Sequence, residues 1–105
     1  MYVTPREMIV STCNEADRIL RFGGFLVITD FDTPGFCKRE NKHNKEMPVY
    51  KENYAQRFLR SEGGYTLVEK RMYTHQTDCF GPDIQQRVST QILYKEYIQD
   101  LYLDA

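Results

Sequence analysis

The segment from Glu15 to Asp32 constrains the fold of this chain more than any other. It reads EADRILRFGGFLVITDFD, which is the end of an amphipathic helix, a pair of glycines and a short apolar strand. Glycine after a helix allows the left-handed backbone that ends it. An apolar strand without alternation is typical of a sheet covered by helices on both faces. The segment therefore predicts one unit of a doubly wound α/β sheet.

The helix of this unit has a clear start in the sequence. Thr4-Pro5-Arg6-Glu7 combines a capping hydroxyl, a proline suited to the first helical position and a glutamate three residues after the cap. Apolar residues then recur every three or four positions. They are Ile9, Cys13, Ala16 and Leu20. We expect a helix over residues 5–22.

A second helix is predicted after the polar loop of residues 36–48. Tyr50, Tyr54 and Phe58 recur at four-residue steps there and form one apolar face. Gly63-Gly64 would end this helix.

Two strands follow in the prediction, over residues 65–74 and 87–95. Clean alternation from Val88 to Lys95 favours the second strand, although Ile84, Val88 and Ile92 also fit a helical step. A short helix from Tyr97 would close the chain. The predicted order is helix, strand, helix, strand, strand.

Composition limits the class of protein. With 105 residues, 41% apolar and 28% charged, the chain has the size and balance of one small globular domain over residues 1–105. The net charge of −1 favours neither a nucleic-acid-binding nor a membrane-binding surface. No apolar run approaches the roughly 20 residues that span a bilayer. Three widely spaced cysteines indicate reduced thiols in a cytoplasmic protein.

Three stretches resemble one enzyme family. EADRILRFGGFLVITD is similar to a segment in the later half of class I S-adenosylmethionine-dependent methyltransferases, and GYTLVEKRMYTH is similar to a later strand of the same fold. HNKEMPVYKENY, residues 43–54, resembles a segment of one uncharacterised branch. The resemblance covers roughly residues 4–94. It implies a partial Rossmann-like sheet, in which a helix, the fifth strand, another helix and a terminal antiparallel hairpin follow one another.

The resemblance implies S-adenosylmethionine as cofactor and methyl transfer as activity. Family members hold the cofactor with a glycine-rich loop between a strand and a helix, where the backbone closely approaches the ligand. Here Gly23-Gly24 and Gly63-Gly64 each follow a helix instead. We therefore expect the chain to lack the N-terminal cofactor-binding half and to be inactive without it.

The strand at residues 25–31 would have an open edge in such a fragment, because its expected neighbour is missing. Open edges are templates for pairing with another chain. We expect pairing through this edge, either in a homodimer or with an N-terminal partner. The alternative function is accordingly a non-enzymatic interaction module.

Candidate catalytic residues are the two carboxylates that end this strand and one loop histidine. Asp30 and Asp32 lie at the carboxyl edge, where ligands of open α/β sheets bind; the alternative is solvated residues of a turn. His43 belongs to the branch-specific segment and would position a nucleophile or an acceptor.

The same segment supplies three candidate substrate-binding residues, Tyr50, Lys51 and Tyr54. Their residue types alone also allow another interpretation. The two tyrosines lie four positions apart on the apolar face of the predicted helix, so they are also candidates for the core.

Two further readings carry less weight. Cys37, His43, His75 and Cys79 are the ligand types of a zinc site, but their spacings favour independent residues and no metal. The basic stretch of residues 38–45 would contact phosphates of an RNA or nucleotide substrate, yet its interleaved glutamates favour a solvated loop.

Overall fold

Three antiparallel strands form the main sheet of the protein. The structure is a computed structural model, and it describes residues 4–39, 49–61 and 63–97. Its elements in chain order are α1 (Arg6–Ile19), β1 (Phe25–Phe31), β2 (Cys37–Arg39), β3 (Val49–Lys51), α2 (Gln56–Leu59), β4 (Tyr65–Thr74) and β5 (Arg87–Lys95). The sheet order is β1-β5-β4, and β2 pairs with β3 in a separate ribbon. The chain is thus a small α/β protein.

Helix α1 is shorter than predicted. It begins at Arg6 with Pro5 as its N-cap, and no side-chain capping bond forms there. It ends at Ile19 because Leu20 already has extended backbone. Gly23 then adopts a positive φ of 80°, and its amide donates to the Lys95 carbonyl at 2.7 Å. The prediction that Gly23 ends the helix is therefore wrong: α1 ends three residues before the expected bound of residue 22, and Gly23 shapes the turn into β1.

Strand β1 differs from the prediction of burial on both faces. Its exposure alternates: Leu26 and Ile28 are half-buried against the helices, whereas Phe25 and Val27 are each 58% exposed. All seven of its residues pair antiparallel with β5, from Phe25 opposite Tyr94 to Phe31 opposite Val88. Among the described residues, β1 is therefore an edge strand with one open face, and a doubly wound parallel sheet is not seen.

Strands β4 and β5 confirm the predicted hairpin, with the bounds expected from the sequence. They pair antiparallel, with a bulge between Leu67 and Glu69. In β5 alternate residues are buried. This period of two identifies a strand with one covered face and rejects the helical alternative for residues 87–95.

The second helix and the loop before it were predicted less well. Residues 36–48 were expected to form a loop, but β2 lies within them. Tyr50 lies in β3 and Tyr54 in the turn before α2, so neither is on a helix. α2 has only four residues. The four-residue spacing of aromatics arises instead from a ribbon strand followed by a turn.

The core lies between the helices and one face of the sheet. Its buried members come from α2, the turn before it, β4 and β5; they are Ala55, Phe58, Tyr65 and Leu93. Side chains of α1 and β1 pack around them, including Ala16 and Ile28. Burying a residue such as Leu93 contributes about 2 kcal/mol, so this cluster holds both helices on the same face.

No helix within the described residues is long and apolar enough to cross a membrane. The predicted C-terminal helix begins at Tyr97 and otherwise lies outside the described residues.

Candidate functional site

Asp32 lies immediately after β1, at the carboxyl end of the strand, and is 5% exposed. Its amide donates to the Arg87 carbonyl at 3.2 Å, which ties it to the start of β5. Its Oδ2 lies 2.9 Å from Lys70 Nζ. Asp30 precedes it on the same side of the strand and is half-buried; its Oδ1 accepts the Phe31 amide at 2.7 Å. Of the two carboxylates, Asp32 is the one at a cleft.

The cleft beside Asp32 has a volume of about 370 Å³. It lies between the end of β1, the turn and helix around α2, and the adjoining parts of β4 and β5. Its lining residues are Asp32, Thr33, Pro34, Asn53, Gln56, Arg60, Lys70, Met72 and Arg87.

A buried hydrogen-bond network lies behind this cleft. Gln91, which is 2% exposed, donates from Nε2 to Asn53 Oδ1 at 2.9 Å and to Ser89 Oγ at 3.2 Å. A buried polar side chain needs such partners, because an unsatisfied amide costs about 1–3 kcal/mol. The network fixes the orientation of the Asn53 amide at the cleft.

Lys51 lies beside the cleft, but its contacts are structural. It is buried, and its Nζ donates to the Gln85 carbonyl at 3.0 Å while lying 4.2 Å from the centre of the Phe31 ring. Its own carbonyl accepts Thr33 Oγ1 at 3.1 Å. Lys51 therefore joins the segment after β1 to the segment before β5.

Tyr50 and Tyr54 surround a cation of the chain itself. The Arg6 guanidinium carbon lies 4.6 Å from the Tyr50 ring centre, 4.9 Å from that of Phe36 and 5.8 Å from that of Tyr54. Phe36 and Tyr50 are stacked, with ring centres 5.7 Å apart. The aromatic side chains proposed for substrate thus hold the N-terminus of α1, a contact worth roughly 0.5–2 kcal/mol per ring.

Polar contacts complete the environment of Arg6. Its Nη1 donates to Glu52 Oε1 at 2.6 Å, and its Nη2 donates to the Tyr54 hydroxyl at 3.1 Å. Arg57 Nη2 donates to the same glutamate oxygen at 2.9 Å. Burial would raise the pKa of Glu52, but the bonds from Arg57 and Arg6 outweigh it and hold the pKa below its usual value. Burial raises the pKa of Tyr54 to about 12.

The predicted site residues thus fall into separate groups. Asp32 lies in the cleft, Lys51 accepts a hydrogen bond from Thr33 of the cleft lining, and Tyr50 and Tyr54 contact Arg6. His43 lies outside the described residues, so its predicted role stays a prediction.

The described part of the chain does not support the alternative of a zinc site. Across residues 4–39, 49–61 and 63–97, no three His, Cys, Asp or Glu side chains come together in a way that would hold an ion. His43, one of the four zinc candidates, lies outside those ranges.

Sequence reasoning missed most of the cleft. Lys70 follows Glu69 in a strand whose alternation is broken by a bulge, so its side chain could not be assigned to the helix-covered face from spacing alone. Arg60 follows α2 and Arg87 begins β5. The sequence predicted a helix and a strand there but did not indicate that the two pack beside the same cleft. The one available signal was the carboxylate itself, at the carboxyl end of an apolar strand.

Comparison with known proteins adds no relative. No protein-family model, curated protein or solved structure matches this chain.

Proposed function

We propose that this chain is the substrate-side part of an S-adenosylmethionine-dependent methyltransferase, and that Asp32 acts in its site. The observation that carries the proposal is the order of elements. Helix α1, strand β1, helix α2 and the antiparallel hairpin of β4 and β5 occur in the order that the sequence resemblance implies, with the β2–β3 ribbon inserted between β1 and α2. Asp32 then lies at the carboxyl end of the strand that corresponds to the fifth strand of such a sheet.

In this proposal Asp32 accepts a proton from the methyl acceptor. S-adenosylmethionine, held by the proposed N-terminal half, would supply the methyl group that an acceptor hydroxyl or amine takes. The acceptor proton passes to the Asp32 carboxylate. Alignment at attack distance supplies most of the rate enhancement in such a transfer, and a positioned base adds roughly 10²–10⁴-fold.

The direction of α1 supports a position for the proposed cofactor half. Arg6, at the start of α1, contacts residues that follow the carboxyl end of β1. Lys95, which lies beside the amino end of β1, contacts the end of α1. A strand that leads into α1 would therefore finish at the carboxyl end of the sheet and run parallel to β1. Since β5 occupies one side of β1, that strand belongs on the other.

The test uses the full-length product of the messenger that encodes these residues, beside the 105-residue chain. We expect the full-length product to bind S-adenosylmethionine in calorimetry and to transfer a radiolabelled methyl group to a small-molecule extract. Asp32→Asn should lower transfer at least about 10-fold without changing cofactor affinity. Asp83→Asn, an exposed change, is the matched control. A full-length product that gives no heat with millimolar S-adenosylmethionine contradicts the proposal.

A second function, self-association through β1, is favoured by the difference between the two sheet edges. β4 carries Glu69, Lys70 and Arg71 and a bulge, which are devices that prevent pairing at an edge. The Phe25–Thr29 part of β1 has no charged residue, proline or bulge. Two copies can therefore pair antiparallel there without repulsion between like charges.

The exposed flank of α1 supports the same interface. Met8 and Ile19 are 54% and 70% exposed, and they lie eleven residues apart, which is close to three helical turns, so they share one line along α1. Cys13 and Asp17 on the opposite side line a cavity with Phe58 of α2. Because α2 contacts β4, the Met8–Ile19 flank, which is on the side of α1 away from α2, points toward the open edge of β1. In a symmetric pair the two flanks would pack together.

A charge on the β1 edge tests self-association. We expect the 105-residue chain to sediment as a dimer, and Val27→Lys to shift it to monomer while its far-ultraviolet spectrum is unchanged. Val68→Lys on β4 is the matched control, because the two valines are 58% and 57% exposed. A wild-type monomer at about 100 μM, or equal effects of the two lysines, contradicts the dimer.

A further inference from the structure

The described residues of the cleft beside Asp32 carry an excess of positive charge. Arg60, Lys70 and Arg87 are the cations among them, and Asp32 is the one carboxylate. That carboxylate already has a counterion, because its Oδ2 lies 2.9 Å from Lys70 Nζ. The other two cations therefore have no acidic partner among the described lining residues.

Arg87 is held in place without being neutralised. Its Nε donates to the Gly81 carbonyl at 3.0 Å, its Nη2 donates to the Pro82 carbonyl at 3.2 Å, and its guanidinium lies 4.6 Å from the Phe80 ring centre. Carbonyls and an aromatic ring orient a guanidinium but carry no net charge. Nη1 remains as a donor without a hydrogen bond to any described residue.

Arg60 is the least engaged of the three. It is exposed at the end of α2, and its side chain forms no ion pair or hydrogen bond with a residue in the described ranges. Arginine presents a planar fork of donors that matches the two oxygens of a carboxylate or phosphate. An anion in the cleft would thus meet one oriented guanidinium and one that is able to move toward it.

Asn53 adds a neutral donor to this set. Its Oδ1 is occupied by Gln91 Nε2 at 2.9 Å. The amide nitrogen is consequently the group that Asn53 has left to offer at the cleft, and within residues 4–39, 49–61 and 63–97 it has no acceptor. The buried partner Gln91 fixes this orientation, so the donor is arranged before any ligand arrives.

We propose that this cleft binds the oxyanion of a small molecule, a phosphate monoester or a carboxylate, through Arg60, Arg87 and Asn53. A volume of about 370 Å³ is at the small end of ligand sites, which suits a metabolite rather than a polymer. Oxyanion binding uses only residues of this chain and does not need a cofactor half. If the proposed methyl transfer holds, the oxyanion belongs to the methyl acceptor and anchors it next to Asp32. Only this assignment of the ligand rests on the proposed methyl transfer.

The experiment is a nuclear magnetic resonance titration of the 105-residue chain at low ionic strength. The signals monitored are those of the backbone amides around Asp32 and of the arginine Nε–H groups. Inorganic phosphate, glycerol phosphate and succinate are titrated separately, so that the arms distinguish phosphate from carboxylate. We expect saturable shifts at the cleft with a Kd in the millimolar range or tighter for at least one probe. Added sodium chloride should weaken the binding.

Arg60→Glu is the decisive variant, because the Arg60 side chain forms no hydrogen bond or ion pair with a described residue whose loss would unfold the chain. We expect it to weaken binding at least about 10-fold, which corresponds to the loss of one charge-assisted bond. Arg21→Glu, an exposed change in the segment between α1 and β1, is the matched control and should leave the Kd unchanged. The proposal is overturned if no probe saturates at about 20 mM, or if the two variants weaken binding equally. Either result stands apart from methyl transfer, which is assayed on the full-length product.

Discussion

Lys70 Nζ lies 2.9 Å from Asp32 Oδ2 at the helix-covered face of the sheet, where the strands that carry them are separated by β5. The carboxylate oxygen is fully buried, and the ammonium does not meet it in hydrogen-bonding alignment. The attraction is therefore chiefly that of two charges in a partly desolvated place. Such a pair matters most when one partner is removed, because the other charge is then left buried.

The first prediction concerns this pair. Lys70→Met should lower the free energy of unfolding by about 2–3 kcal/mol, since Asp32 loses its counterion while it remains 5% exposed. Asp32→Asn in the Lys70→Met background should recover about half of that loss, because the buried charge is gone. Urea unfolding followed by circular dichroism measures both changes.

The control for this cycle is Lys38→Met, since Lys38 is an exposed lysine of β2. It should alter stability by less than about 0.5 kcal/mol. Equal effects of Lys70→Met and Lys38→Met would show that the Asp32 pair contributes nothing specific.

The second prediction is acid lability at Glu52. Hydrogen bonds from Arg57 and Arg6 outweigh burial and lower the pKa of Glu52 in the folded chain. A carboxylate with a lowered folded pKa contributes stability that is complete above its unfolded pKa, near 4.3, and is lost as the pH falls through the folded value. Stability should therefore fall below about pH 5, and Glu52→Gln should flatten that fall while lowering stability at pH 7.

Asp17 titrates in the same range, so it has to be separated from Glu52. A hydrogen bond from the Tyr65 hydroxyl lowers the pKa of Asp17 more than burial raises it, with a further contribution from Lys95. Asp17→Asn should remove only its own part of the acid dependence. If Glu52→Gln leaves the slope of unfolding free energy between pH 3 and pH 5 as in the wild type, the assignment to Glu52 is wrong.

The third prediction runs in the alkaline direction. Burial raises the pKa of Tyr54 to about 12, and burial together with the bond to Asp17 also raises that of Tyr65. An acid with a raised folded pKa stabilises the fold fully below its unfolded pKa, near 10 for tyrosine, and this stability is lost as the pH rises through the folded value. The chain should therefore unfold more readily above pH 10.

Tyrosinate absorbance distinguishes the cause. As the pH is raised, part of the tyrosinate absorbance change should appear only when the chain unfolds. Tyr54→Phe should reduce the amplitude of that part. Tyr73→Phe is the comparison, because Tyr73 lies on the open face of the sheet, where its hydroxyl contacts Thr90 Oγ1 at 3.2 Å. Simultaneous ionisation of all tyrosines near pH 10 before any unfolding would refute the prediction.

The positions of elements were predictable where a local pattern defines them. Alternation from Val88 to Lys95 indicated strand β5, but the helices cover the face with Ser89, Gln91, Leu93 and Lys95 rather than the face with Val88, Ile92 and Tyr94. Gly23 indicated the turn between α1 and β1, because the chain needs a positive φ there. The local sequence therefore locates these elements, but tertiary packing decides which face of β5 is covered.

The site was predictable only in part, because its contacts cross the sheet. The carboxylate of Asp32 was indicated by its place after an apolar strand, but Lys70 reaches it from a strand beyond β5. The prediction of Tyr50 and Tyr54 on a helix is wrong, since nothing in their spacing shows that Arg6 packs against both rings. Pairings at such sequence distances are decided by packing, which periodicity does not record.

The last prediction concerns the turn that joins α1 to β1. Gly23 has a φ of 80°, and a Cβ placed on it would lie 2.5 Å from the Tyr97 hydroxyl oxygen and 2.9 Å from its ring carbon. Gly23→Ala should therefore lower the free energy of unfolding by about 1–3 kcal/mol, from backbone strain and steric overlap together. Gly35→Ala is the matched control, because a Cβ there meets no atom within 4 Å and Gly35 has no positive φ. Adding Tyr97→Ala to Gly23→Ala removes the overlap but not the strain, so it should recover part of the loss in urea unfolding. Equal stabilities of Gly23→Ala and Gly35→Ala would show that this turn does not require glycine.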